Sequence, residues 1–254
     1  MSKKKKLHLS DSACLNIGKI LIDSSLPNDI CVFDVGANEG LFARRVVDQW
    51  PIKKIDLHCF EPNPAAYAIL AEKLVDASTF TLVEIGLSSQ EGTGTLYHPE
   101  KKTVLGSLAH REVFDSKVKQ WGDVKAHSVK LSTLDAYRRV TKIIQVDYLK
   151  IDTEGFELDV LQGAAESLSQ HRIVCGQLEY GGTFFDRGIS VHDVVDFLSI
   201  HGYVLFDLVK RTEVNASYID DFALNNLFFC QAGKKELVEK CFLQTSVLYD
   251  ENEV

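Results

Sequence analysis

Apolar and polar positions along this chain fall into blocks whose period switches between that of a strand and that of a helix. Residues 15–22 carry apolar positions at helical spacing and run into Ser24-Ser25-Leu26-Pro27-Asn28-Asp29, a turn-rich stop. Ile30-Cys31-Val32-Phe33-Asp34-Val35 is apolar except for one acid and ends at glycine, as a strand buried on both faces does. Phe42, Val46, Val47 and Trp50 then recur at i, i+4, i+5 and i+8, one face of a helix. Residues 55–60 repeat the strand signal, Tyr67, Leu70, Ala71 and Leu74 the helical one, and residues 80–87 read as a third strand.

The rhythm resumes with a strand over 146–151, a helix carrying Phe156, Val160, Leu161 and Ala164, and a strand over 173–178. Ser190 is placed to cap a helix whose stripe is Val191, Val194, Val195 and Leu198. Strands at 203–208 and 223–230 have no helix-length segment between them, which predicts an antiparallel pair at one sheet edge. Such alternation predicts an α/β fold with a doubly wound, mostly parallel sheet. The organisation read from it is a basic tail and helix over 1–29, one domain over 30–232, and a helical segment and tail over 233–254. Leu237, Val238, Cys241 and Phe242 would pack there on the domain or on a second subunit, so a homo-oligomer stays open.

Residues 92–131 break the pattern. Short strands at 92–97 and 124–131 flank a polar stretch with Lys101, Lys102, His110 and Arg111, read as a functional loop over a ligand crevice or as surface disorder.

Composition narrows the class. Of 254 residues, 45% are apolar and the formal charge is −8, which disfavours a general nucleic-acid binder because phosphate contacts need a basic face. Cys14, Cys31, Cys59, Cys175, Cys230 and Cys241 stand far apart with no C-x-x-C, so reduced thiols in a cytoplasmic protein are expected. No 18-residue uncharged run predicts a membrane span, no export signal follows Met1, and Lys3 to Lys6 read as a disordered solvated tail.

In an open parallel sheet the ligand crevice lies at the carboxyl ends of the strands. The first such end is Asp34-Val35-Gly36-Ala37-Asn38-Glu39-Gly40, with G-x-x-x-G spacing rather than the G-x-G-x-x-G of a dinucleotide fingerprint. Asp34 would repel a diphosphate and attract an ammonium. Glu61 ends the second strand, where a carboxylate can accept from both hydroxyls of a ribose. A nucleoside joined to a cationic amino acid and lacking phosphate describes S-adenosylmethionine, whose product is S-adenosylhomocysteine.

The segments Val32 to Gly40, Phe60-Glu61-Pro62-Asn63, Leu149-Lys150-Ile151-Asp152-Thr153-Glu154-Gly155-Phe156-Glu157 and Leu161-Gln162-Gly163-Ala164 together resemble the FkbM family of S-adenosylmethionine-dependent methyltransferases. The resemblance implies a Rossmann-like, seven-stranded class I methyltransferase sheet with an antiparallel last strand. It also implies O-methylation of a saccharide or small polar metabolite. Carried onto matching positions, it makes Asp34, Gly36, Ala37 and Asn38 the methionine-side wall and Glu61 the ribose acceptor. Pro62 and Asn63 become part of the adenine wall, and Gly86, Leu87 and Ser88 close over the base. Ser107-Leu108 resembles a further short motif of the family, without a role assigned.

Methyl transfer needs an aligned acceptor and one proton acceptor. Asp152, at the end of the strand beside the first, and Glu179, before Tyr180-Gly181-Gly182, are the catalytic candidates, with Asp152 also counted at the cofactor. Glu154 is a weaker one, and capping of the next helix is the alternative role for Asp152. Asp152 and Glu179 could ligate Mg²⁺, but two acids make no site and no bound metal is predicted. Lys150 shares a strand face with Tyr148 and Asp152, which predicts an ion pair with a neighbouring acid. His58 reads as strand lining, His192 and His201 as helix positions, and His98 and His110 as the histidines able to reach an acceptor. The rival readings are an NAD-dependent oxidoreductase and a non-catalytic nucleoside-binding module.

Overall fold

The computed structural model describes residues 3–24, 29–50, 54–74, 80–100, 106–108, 121–219 and 225–243. Among them, eight strands form one sheet in the order β10-β9-β11-β8-β7-β1-β2-β3, and three form a second in the order β4-β6-β5. The parallel part consists of β1 (Asp29–Val35), β2 (Lys54–Phe60), β7 (Val146–Ile151) and β8 (Ile173–Tyr180), with β3 (Phe80–Val83) at its edge. Every residue of β7 is buried, which is why the sequence shows a run there and no alternation.

Two layers of helices cover the sheet. One face packs on α1 (Lys3–Asp23), α2 (Leu41–Gln49), α3 (Pro64–Lys73) and a C-terminal helix through Ala13, Leu21, Phe42, Val46, Leu70 and Val238. The other packs on α4 (Leu134–Thr141), α5 (Glu157–Gln162), α6 (Ala165–Ser169), α7 (Gly182–Asp186) and α8 (Val191–Ile200) through Leu134, Val160, Leu161, Leu168, Phe184, Val194 and Leu198. The C-terminal helix, α9 (Lys235–Cys241), thus packs on its own domain with Val238 and Cys241 buried. α1 lies close over the sheet at Gly18, where a Cβ would come within 2.3 Å of the Tyr148 ring.

Several expectations change. α1 reaches back to Lys3, so lysines 3–6 belong to a helix and not to a disordered tail. The strand expected over 80–87 is two: the Glu61 N–H donates to the Val83 carbonyl at 3.1 Å, the chain turns, and β4 (Gly86–Leu87) pairs with β6 (Val124–Ser132) in the second sheet. β5 (Gly92–Pro99) and β6 form an antiparallel ladder, making an ordered hairpin of the flanks of the irregular region. Lys101, Lys102, His110 and Arg111 lie outside the described residues.

β9 (Tyr203–Asp207) and β11 (Asn225–Gln231) pair antiparallel as expected, but β11 is inserted between β8 and β9. The edge is β10 (Thr212–Val214), an eighth strand beyond the expected seven. The helix expected from Phe156 to Ala164 is split after Gln162 into α5 and α6, and the break lies against the Ser88 carbonyl oxygen, which would stand 2.1 Å from a Cβ at Gly163, so only glycine fits there. All six cysteines are free, with Cys31 the one that is not fully buried. No described helix is long and apolar enough to cross a membrane.

Candidate active site

The strand order turns at β1, with β2 on one side and β7 on the other, so the loops after these strands meet at one crevice. Gly36 has φ +74°, and a Cβ there would lie 1.8 Å from the Asp152 carbonyl oxygen; glycine lets the β1 loop press against the end of β7. The Gly36 and Ala37 N–H groups both donate to the Phe60 carbonyl at 3.0 Å. Asn38, also left-handed at φ 48°, turns its N–H onto Glu61 Oε2 at 2.8 Å, and the Asn63 N–H donates to Oε1 at 2.8 Å. Both carboxylate oxygens are thereby fixed, and each keeps acceptor capacity for a ligand. Burial nonetheless pushes the Glu61 carboxyl up to about 7, against the pull of those two bonds.

Glu61 faces a cavity of about 240 Å³. Among the described residues its wall carries four acids, Glu61, Asp152, Glu154 and Glu179, and no lysine, arginine or histidine; Pro62, Leu87, Leu96 and Leu108 supply its apolar side. Burial, then Asp152, Glu154 and Glu157, push the Glu179 carboxyl well above its ordinary range. The loop presenting Asp152 and Glu154 is held from behind by buried Glu157, whose Oε1 accepts from the Thr153 N–H at 2.7 Å and whose Oε2 accepts from the Gly155 N–H at 3.0 Å. From above, Ser107 Oγ donates to the Glu154 carbonyl at 2.9 Å, while Ser107 and Tyr97 exchange backbone bonds at 2.8 and 2.9 Å. Ser107-Leu108 therefore straps the hairpin to the Asp152 loop and sets Leu108 on the cavity wall.

A second cavity, about 190 Å³, shares Gly36, Asn38, Asp152 and Glu179 and extends to Ala37, Phe42, Asp11, Arg45 and Lys150. Lys150 Nζ lies 3.1 Å from Asp34 Oδ1 and 3.3 Å from Asp152 Oδ2, and donates to the Gly36 carbonyl at 2.8 Å. Burial opposes its charge, yet Asp152 and Asp34 hold the ammonium above the ordinary lysine value. The expected ion pair is present and ties three strand-end groups together. Asp11 on α1 accepts from Gln177 Nε2 at 2.7 Å and Asn226 Nδ2 at 2.8 Å and pairs with Arg45 at 2.6 Å, pinning the helix as a wall of this cavity.

Of the residues named from sequence, Gly36, Asn38, Glu61, Pro62, Gly86, Leu87, Asp152 and Glu179 line the first cavity, and Ala37 lines the second. Asp34, Asn63 and Ser88 line neither. Asp34 is fully buried behind Lys150. Asn63 Oδ1 accepts from the Ala65 N–H at 3.1 Å, capping α3, so Asn63 reaches the site through its backbone bond to Glu61. Ser88 is buried, its N–H on the Ser132 carbonyl at 2.9 Å. Asp152 does not cap the following helix, since Phe156 holds that position with no side-chain cap. His98 is buried against His127, ring centroids 5.0 Å apart, and lines neither cavity, so it cannot serve an acceptor there; His110 lies outside the described residues. Leu96, Leu108, Asp11 and Arg45 were not anticipated as wall residues.

Residues 34–205 match the Methyltransferase FkbM domain, which covers most of the chain and both edges of the crevice. The chain belongs to the FkbM methyltransferase family. Among curated relatives it is 29% identical over 157 residues to the 2-O-methyltransferase NoeI of Sinorhizobium fredii (strain NBRC 101917 / NGR234), a match covering 58% of this chain and 62% of that protein. It is 30% identical over 166 residues to the methyltransferase sdnD of Sordaria araneosa, covering 56% and 63%. The chain thus spans about three-fifths of the length of these relatives. A solved FkbM methyltransferase from Methylobacillus flagellatus KT superposes with a TM-score of 0.48 at 17% identity, over 80% of this chain and 44% of that one. The FkbM match begins at Asp34, the acid under Lys150, and includes Glu61, Ser107, Asp152 and Glu179.

Proposed function

We propose that this FkbM-family chain binds S-adenosylmethionine in the acid-lined crevice and methylates a hydroxyl of a saccharide or another small polar metabolite. One observation carries the reading: among the described residues, the wall of the first cavity carries four acids and no basic side chain. Such a wall favours a ligand bearing a sulfonium and an ammonium and repels the diphosphate of a nicotinamide dinucleotide. The residues present also fit the neutral parts of the cofactor. Glu61 offers one acceptor oxygen to each of two vicinal hydroxyls, and Pro62, Leu87, Leu96 and Leu108 offer an apolar slot to the base. The name of NoeI, a 2-O-methyltransferase, supports oxygen as the acceptor atom.

Bound S-adenosylmethionine supplies an electrophilic methyl group. The chain's part is to hold and align. Glu61 fixes the ribose, while Asp152, itself oriented by Lys150, faces the cation and the incoming hydroxyl. Burial and the neighbouring acids hold the Glu179 carboxyl well above its ordinary range; a cation beside it favours its ionised form, which then takes the proton of the acceptor. Leu108 and its Ser107 strap exclude water from the base side. Supply of labelled S-adenosylmethionine with a panel of sugars and polyols tests this. Labelled product that falls at least 100-fold in Glu179→Gln, with cofactor binding retained, is expected; binding without product from any hydroxylated acceptor favours the non-catalytic module, and preference for NAD refutes the reading.

A further inference from the structure

At the opposite end of the sheet, on the face covered by α4, β1 and β2 bring together three metal-ligating side chains that the crevice does not use. Cys31 on β1 and Asp56 and His58 on β2 point to the same face, because Cys31 is paired with Asp56 and Phe33 with His58. One ligand atom from each lies within 4.8 Å of the other two, and His58 Nε2 is 3.2 Å from Asp56 Oδ1. Tetrahedral zinc, with bonds of about 2.0–2.3 Å, holds its ligands roughly 3.3–3.8 Å apart, so a small inward movement of Cys31 would complete the set.

The histidine is already arranged as a ligand. Its Nδ1 is 2.8 Å from the Tyr137 hydroxyl of α4, and its ring packs 5.2 Å from Phe33, which fixes the ring plane. Its buried Nε2 has no aligned hydrogen-bond partner, even though the Asp56 carboxylate is adjacent. A cation placed between this nitrogen and the carboxylate would be bound by both. An outer hydrogen bond on one ring nitrogen, with the other nitrogen left to face the metal, is how zinc-binding histidines are held.

We propose that Cys31, Asp56 and His58 form a site for a single zinc-type divalent cation, with its fourth position open to solvent beside the exposed Asp56. Thiolate, carboxylate and neutral imidazole balance a dication, and the mixed sulfur, nitrogen and oxygen set suits zinc rather than magnesium. Five residues of strand separate Cys31 from Gly36, about 17 Å, so the cation clamps β1 to β2 and takes no part in the crevice. The metal binds the Cys31 thiolate, so binding releases the thiol proton.

The test uses the full chain, stripped with a chelator and titrated with Co²⁺ and then with competing Zn²⁺. Expected are one equivalent of Co²⁺, a thiolate-to-cobalt charge-transfer band that zinc abolishes, and a higher unfolding temperature with zinc. Tyr137→Phe should weaken binding about 10–100-fold. Cys31→Ser should remove the band, and Asp56→Asn, at an exposed position that the fold does not need, should lower affinity. Absence of stoichiometric binding, or a band of unchanged affinity in Cys31→Ser, overturns the proposal.

Discussion

Glu61→Gln separates what the site needs from what the fold prefers. Burial raises the Glu61 carboxyl from 4.5 to about 7, so between those values the unfolded chain has lost the proton that the folded chain keeps. Stability therefore falls as pH rises through the window and levels off above it, by about 3 kcal/mol in all. Glutamine cannot ionise, so it removes this pH-dependent cost. It also turns an amide NH₂ towards the N–H of Asn38 or Asn63, a mismatch costing about 1–3 kcal/mol at every pH. The absolute difference between variant and wild type mixes the two effects; its change with pH does not. Urea unfolding at intervals from pH 4 to 8.5 should show the variant gaining about 3 kcal/mol on the wild type, with equal m-values. A difference that is flat across this range, or that runs the other way, would show that Glu61 ionises in the folded site as easily as in water and would remove the electrostatic picture of the crevice. The same substitution takes a charged acceptor from the ribose hydroxyls and should weaken S-adenosylmethionine about 10–100-fold.

Other substitutions test the supports. Lys150→Met leaves Asp34 buried without its cation and should cost about 3–5 kcal/mol in urea unfolding; no loss would mean that the pair is dispensable. Gly36→Ala must displace the loop from the Asp152 carbonyl and adopt a positive φ, so cofactor binding measured by calorimetry should be abolished at a stability cost of a few kcal/mol. Ser190→Ala removes a capping box at a residue that lines neither cavity and should lower stability by about 1 kcal/mol while leaving cofactor affinity unchanged.

The elements legible in the sequence are those the sheet buries on both sides. β1, β2, β7 and β8 read as runs because helices cover both of their faces, and the cap at Ser190 is local enough to see. α4 escaped because Leu134 is its one buried residue, which leaves no stripe. β10 escaped because Thr212–Val214 is short and mostly polar, and gains its pairing from β9. Within the site, Glu61 and Asp152 could be placed because each follows a strand end directly. The retreat of Asp34 behind Lys150, the wall role of Asp11 and the grouping of Cys31 with His58 depend on strand register and helix docking, which no linear spacing encodes.

The most direct measurement is calorimetric titration of the purified chain with S-adenosylmethionine and, separately, with NAD, in wild type and Glu61→Gln. Saturable one-to-one binding of S-adenosylmethionine, weakened in the variant and absent for NAD, is the predicted result. Tighter binding of NAD, or binding of S-adenosylmethionine indifferent to Glu61, would contradict the assignment of the acid-lined crevice.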